Sequence, residues 1–155
     1  MQAERKQELI RRYRSGHDAV TKALAGIGED ELDRSISGEW TPRQIAHHLA
    51  DSEMTAAIRL RRLITENNPA IAGYDEALFA RTLTRDRPIA PSVEAMRWAR
   101  ESSLQILERL TDDEWKRTGT HSESGPYSVE QWLEIYAAHP HEHDAQIDRS
   151  RGKRA

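Results

Sequence analysis

The chain has no cysteine among its 155 residues. That absence excludes disulfides, thiolate metal ligands and a thiol nucleophile of the protein's own. Any bound metal must be held by His, Asp, Glu or water, and any thiol chemistry requires a small thiol from outside. No apolar run approaches 18 residues, so no membrane-spanning helix is expected. Met1 to Arg14 lacks the apolar stretch of a signal peptide, and the chain reads as cytoplasmic. An excess of one charge is missing too: 23 basic and 26 acidic residues are interspersed and leave a formal net charge of −3. Without a basic footprint, nucleic acid is not an expected partner.

What is present is helical periodicity over the length of one domain, 1–155, long enough to bury about two-thirds of its unfolded surface. Lys6 to Ala25 places Leu9, Ile10, Tyr13, Val20 and Leu24 on one stripe with His17. Gly26 and Gly28 end it, and Glu29 to Arg34 adds a short turn. Thr41-Pro42-Arg43-Gln44 combines an N-cap, a proline at the first helical position and a capping box. The second helix then runs to about Glu66 on the axis Ile45, Leu49, Ala56, Leu60 and Leu63. Asn67 to Pro91 is a long connection whose Tyr74 to Phe79 segment is too apolar for a linker, so a packed cover with a turn of helix is expected. Ser92 is the expected cap of a third helix reaching Leu110. Thr111 to Glu114 forms another capping box, a polar loop with Gly119, Gly125 and Pro126 follows, and Ser128 caps a fourth helix. Arg149 to Ala155 reads as a frayed basic tail.

Three of the seven histidines fall within five residues, at 139, 141 and 143. At about 100° per residue, His139 and His143 share a face with Trp132, Ile135, Tyr136 and Gln146, while His141 points the other way. Two imidazoles at i and i+4 can reach one metal ion. A third comes from the second helix. Measured from Ile45, His48 lies about 60° round and His47 about 160°, which turns His48 inward and His47 to solvent. Gln44, Ser52, Thr55 and Arg59 share the His48 side. Three imidazoles leave an open coordination position, the pattern of a catalytic site, and suit zinc, nickel, iron or copper. Arg59, turned inward, is either an anchor for an anionic group or a structural partner of Asp75 or Glu76.

Trp40-Thr41, Arg43-Gln44, His47 to Ser52, Pro69 to Ile71, Tyr74 to Glu76, and Tyr136 with His139 and His143 together resemble the DinB superfamily. The likeness is to its YfiT-like branch of metal-dependent hydrolases, which includes bacillithiol transferases. It implies an all-α fold, a four-helix bundle with a long cover loop between helices two and three. It also implies a homodimer, a small-molecule substrate, and nickel or zinc on His48, His139 and His143. The family's Tyr-Pro-Ile-Gly-like segment ahead of the first helix is not among these residues. Pro140 stands where a small residue is usual, and a kink or π-bulge is expected there.

The expected function is therefore a metal-dependent transferase or hydrolase, with a low-molecular-weight thiol as a possible cofactor. The alternative is a metal-binding stress-response protein without turnover. Gln44, Asp51, Arg59, Tyr74 and Asp75 are the candidate substrate residues, and no general base stands out.

Overall fold

The capping chemistry decides where the helices begin. Thr41 Oγ1 accepts from the Gln44 N–H at 3.2 Å, and the Gln44 side chain accepts from the Thr41 N–H at 2.9 Å. Ser128 and Gln131 do the same at the start of the last long helix, at 3.1 and 2.9 Å. Each pair satisfies two amide donors that a helix start otherwise leaves orphaned. The computed structural model describes residues 1–153. Four long helices form the bundle: α1 (Ala3–Leu24), α3 (Pro42–Thr65), α5 (Ala90–Leu107) and α7 (Val129–Ser150). Three short ones decorate it: α2 (Glu29–Leu32), α4 (Glu76–Thr82) and α6 (Asp112–Trp115). Among the described residues no helix is long and apolar enough to cross a membrane.

Several sequence-based expectations need correction. α5 begins at Ala90, two residues before the expected cap, because Pro91 fits a first turn where no N–H is needed. Ser92 is consequently inside the helix and buried. The polar loop after α6 is a hairpin of β2 (Thr118–His121) and β3 (Gly125–Ser128), in register Gly119↔Tyr127. β1 (Ala70–Ile71), within the connection between α3 and α5, joins β2 in parallel. The fold is thus mostly helical with a small three-stranded sheet. Gly119 permits this pairing, since a Cβ there would stand 2.6 Å from the Pro69 carbonyl oxygen. The tail is not frayed at Arg151, which pairs with Glu31 at 3.1 Å and donates to the Ala23 carbonyl at 2.7 Å. Residues 154 and 155 of that tail lie outside the described residues. The cover is packed, as its composition predicts, and contains α4 with Asp75 as its cap.

The core is split. One apolar cluster gathers Leu9, Tyr13, Leu60, Leu63, Trp132 and Leu133; a second gathers Val20, Ile45, Leu49, Met96 and Ile147. On every long helix the two are separated by an interruption: Gly16 on α1, Glu53 on α3, Arg100 on α5 and Pro140 on α7. These four meet. Arg100 pairs with Glu53, donates to the Tyr13 carbonyl, and lies 3.9 Å from the Tyr13 ring centroid. A Cβ at Gly16 would be 2.7 Å from Arg100 Nη2 and 2.9 Å from Pro140 Cγ.

Candidate metal centre

The cluster of His48, His139 and His143 is built where α7 passes this polar layer. His139 Nε2 stands 3.1 Å from His48 Nε2 and 3.2 Å from His143 Nε2. Nitrogens each about 2.0–2.1 Å from one ion lie about 3 Å apart, so the donor set fits a single divalent metal. His143 Nδ1 donates to Gln146 Oε1 at 3.0 Å, which leaves its Nε2 with the lone pair a metal needs. His139 Nδ1 is buried without a partner. Trp40 closes one side, its ring edge-on to His48 at 4.8 Å and parallel to His143 at 6.3 Å.

Burial keeps these rings neutral, the ligating form. The His48 pKa is pushed down to about 3, chiefly by burial and then by the charge of His143. His139 falls to about 3 by burial, with His143, His48 and Arg100 adding repulsion. His143 is lowered by burial, partly offset by Gln146.

Helical phase survives Pro140. α7 is α-helical throughout, so the expected π-bulge is absent. The reason lies in Arg100: its Nη1 and Nη2 donate to the Tyr136 carbonyl at 3.2 and 3.3 Å, replacing the N–H that proline removes. His141, as its phase predicts, faces away, donating from Nε2 to the Arg12 carbonyl at 3.1 Å.

His47 corrects the reading of α3. It is fully buried rather than facing solvent. Its Nε2–H donates to the Arg87 carbonyl at 3.2 Å and its Nδ1 accepts from Ser92 Oγ at 2.7 Å. Ile135, expected on the inward face, is 49% exposed.

Beside the histidines lies a cleft of about 260 Å³, walled by Arg59, Glu76, His121, Tyr127, Tyr136 and His139. Arg59 is therefore brought to the site. It donates to Tyr136 Oη at 3.0 Å and the Ala72 carbonyl at 2.7 Å. Among the described residues no carboxylate forms an ion pair with it, Asp75 and Glu76 included. The other candidates are placed differently. Gln44 closes its capping box and reaches the Ala80 carbonyl at 3.4 Å. Asp75 accepts from the Leu78 N–H as the cap of α4. Asp51 is half-buried, and burial raises its pKa. Tyr74 packs on Phe79, its hydroxyl buried without a partner and its pKa pushed up by burial. Neither Asp51 nor Tyr74 walls the cleft. His121 and Tyr127 are not marked by helical phase, because both sit on the hairpin. Their runs, Thr118–His121 and Gly125–Ser128, are interrupted by glycine and proline, and the one signal of a hairpin is the turn composition Ser-Glu-Ser-Gly between them.

A four-helix bundle with three imidazoles meeting at one point defines a helical metal-site architecture. The chain belongs to the DinB superfamily, whose sequence model matches residues 12–147. Over 129 residues it is 40% identical to a "putative metal-dependent hydrolase" of Oceanobacillus iheyensis, covering 83% of this chain and 75% of the relative. A protein of the same description from Bacillus cereus is 30% identical over equal coverage. Among solved structures, YfiT from Bacillus subtilis, described as "a probable metal-dependent hydrolase with an unusual four-helix bundle topology", superposes with a TM-score of 0.91. That match has 28% identity and covers 99% of this chain and 91% of YfiT. The mycothiol-dependent maleylpyruvate isomerase shares the fold at a TM-score of 0.68 and 14% identity, over 92% of this chain and 60% of that one.

Proposed function

We propose that this chain is a metal-dependent hydrolase of small molecules, with one zinc or nickel ion held by His48, His139 and His143. The observation that carries the reading is the convergence of three Nε2 atoms, two of the separations being 3.1 and 3.2 Å. When bound, a divalent ion supplies Lewis acidity, polarising a substrate oxygen and acidifying water or a thiol. The chain's own residues do the rest. Burial holds the three imidazoles neutral, Gln146 fixes the His143 tautomer, and Trp40 keeps bulk water off one side. Arg59, which forms no ion pair among the described residues, suits the anionic end of a substrate.

A second reading is a transferase that uses a low-molecular-weight thiol as nucleophile. It is favoured by the same Arg59, free of ion pairs among the described residues, which would hold the thiol's carboxylate, and by a chain with no cysteine of its own. Metal analysis with turnover tests both readings. Purified protein is expected to carry about one divalent ion per chain, lost in His48→Ala and His143→Ala and kept in His141→Ala. His47→Ala also keeps the ion but loses about 1–3 kcal/mol of stability, because Ser92 and the Arg87 carbonyl lose a buried partner. Equal metal loss in all four variants would refute the site. Cleavage of esters or amides without added thiol supports the hydrolase; acceleration only with bacillithiol, glutathione or cysteine supports the transferase. A loaded protein that does neither is a metal-binding protein without turnover.

A further inference from the structure

The hairpin delivers His121, Ser124 and Tyr127 to the cleft, and the reading above gives none of them a role. His121 ends β2 and walls the same cleft as Arg59 and His139. The Glu123 backbone N–H donates to its Nδ1 at 3.2 Å. A ring nitrogen that accepts a hydrogen bond carries a lone pair, so the neutral ring holds its proton on Nε2. Nδ1 has a partner; Nε2–H has none among the described residues. Burial and the nearby positive charge of Arg59 keep the ring's pKa below the ordinary histidine value. The cleft thus presents an N–H donor of fixed tautomer and, on the same wall system, a guanidinium that forms no ion pair among the described residues, although the Glu76 carboxylate also lines the cleft.

We propose that His121 is a catalytic hydrogen-bond donor, its Nε2–H binding the carbonyl oxygen of a small ester or amide whose carboxylate end rests on Arg59. The assignment rests on the hydrolase reading and names its substrate class. In that reaction the oxygen of water bonds to the carbonyl carbon, the π pair moves onto the carbonyl oxygen, and one water proton passes to solvent. Collapse re-forms the C=O bond and breaks the bond to the alcohol or amine, which takes a proton from solvent. Negative charge resides on the carbonyl oxygen only between these events, so a donor aimed there acts on the transition state more than on the bound substrate. His121 keeps its proton throughout, since releasing Nε2–H from a neutral ring would create an imidazolate.

The test uses the zinc-loaded full chain as wild type, His121→Ala and His121→Gln, with zinc content measured for each. Nitrogen-15 NMR reads the tautomer, 4-nitrophenyl hemisuccinate reports turnover, and succinamate, a carboxylate with an unreactive amide carbonyl, reports binding. The proton is expected on Nε2, with a resonance that moves when succinamate is added. In His121→Ala, kcat is expected to fall about 100-fold at unchanged KM and zinc content, with roughly tenfold recovery in His121→Gln, whose amide N–H can still donate. A proton on Nδ1, a resonance indifferent to succinamate, or wild-type kcat in His121→Ala overturns the assignment. If wild type leaves the ester intact, the hydrolase reading falls, and a response of Nε2–H to succinamate then leaves His121 a carbonyl-binding donor without the catalytic role. If the ester is cleaved and His121→Ala keeps the wild-type kcat, the hydrolase reading stands and the His121 assignment falls.

Discussion

His47 and His48 are neighbours in sequence and serve different partners in space. One locks α3 to the first turn of α5, the other faces α7. A single apolar axis ranked them by angle and found His48, because that side carries Ile45 and Leu49. The same axis passes over His47, because the second buried face of α3 is marked by polar residues, His47 and Glu53, whose partners Arg87, Ser92, Arg100 and Tyr13 all lie on other parts of the chain. Burial of the neutral ligand rings has a consequence for acid stability. In the unfolded chain each histidine takes up a proton near pH 6.5; in the folded chain His48 and His139 resist to about 3. The unfolded state therefore binds more protons between those values, and stability falls as pH is lowered through that window. The slope is about 1.4 kcal/mol per pH unit for each such ring. Denaturant unfolding of metal-free protein from pH 7 to pH 4 measures it, and His48→Gln should flatten the curve by one ring's share. Identical curves for the two proteins would contradict the burial assigned to His48.

At the scale of elements, starts with side-chain chemistry were legible and starts without it were not. The capping boxes at Thr41, Thr111 and Ser128 each open a helix where the sequence places one. α5 has no side-chain cap, and the hairpin is written in glycine, proline and serine, a composition that reads equally as loop. Pro140 is the instructive case. Its local chemistry predicts a kink or π-bulge in α7, and Arg100, 36 positions from the Tyr136 carbonyl it serves, supplies the donor that proline removes. Arg100→Met should cost about 3–5 kcal/mol, since it strands the Glu53 carboxylate and the Tyr136 carbonyl together. In a Pro140→Ala background the loss should shrink, because residue 140 then offers Tyr136 an N–H of its own. Equilibrium unfolding of the four proteins closes the cycle, and additive losses would dismiss the coupling.

For the whole molecule, the apolar side chains that the bundle leaves outside are informative. Met54 and Ile58 on α3 are 47% and 59% exposed, and Trp98 on the adjacent α5 is 58% exposed. We propose that this strip pairs with its copy across a two-fold axis in a homodimer. Sedimentation equilibrium at micromolar concentration should give twice the 17.8 kDa chain mass, and Ile58→Glu with Trp98→Glu should return the monomer. A wild-type monomer at those concentrations would dispose of the idea.

The placement of the three imidazoles also bears on time. His48 and His139 are separated by 91 positions along the chain, so they meet only after the cover, α5 and the hairpin have all been laid down between them. Contacts of such long range form late in folding. In an earlier, partly ordered chain an ion finds at most the His139–His143 pair of α7, so completing the site with His48 adds little to the speed of folding. Most of its effect falls on escape from the native state, which it slows. A cell short of the metal would therefore make the protein nearly as quickly as ever and lose it to proteases sooner.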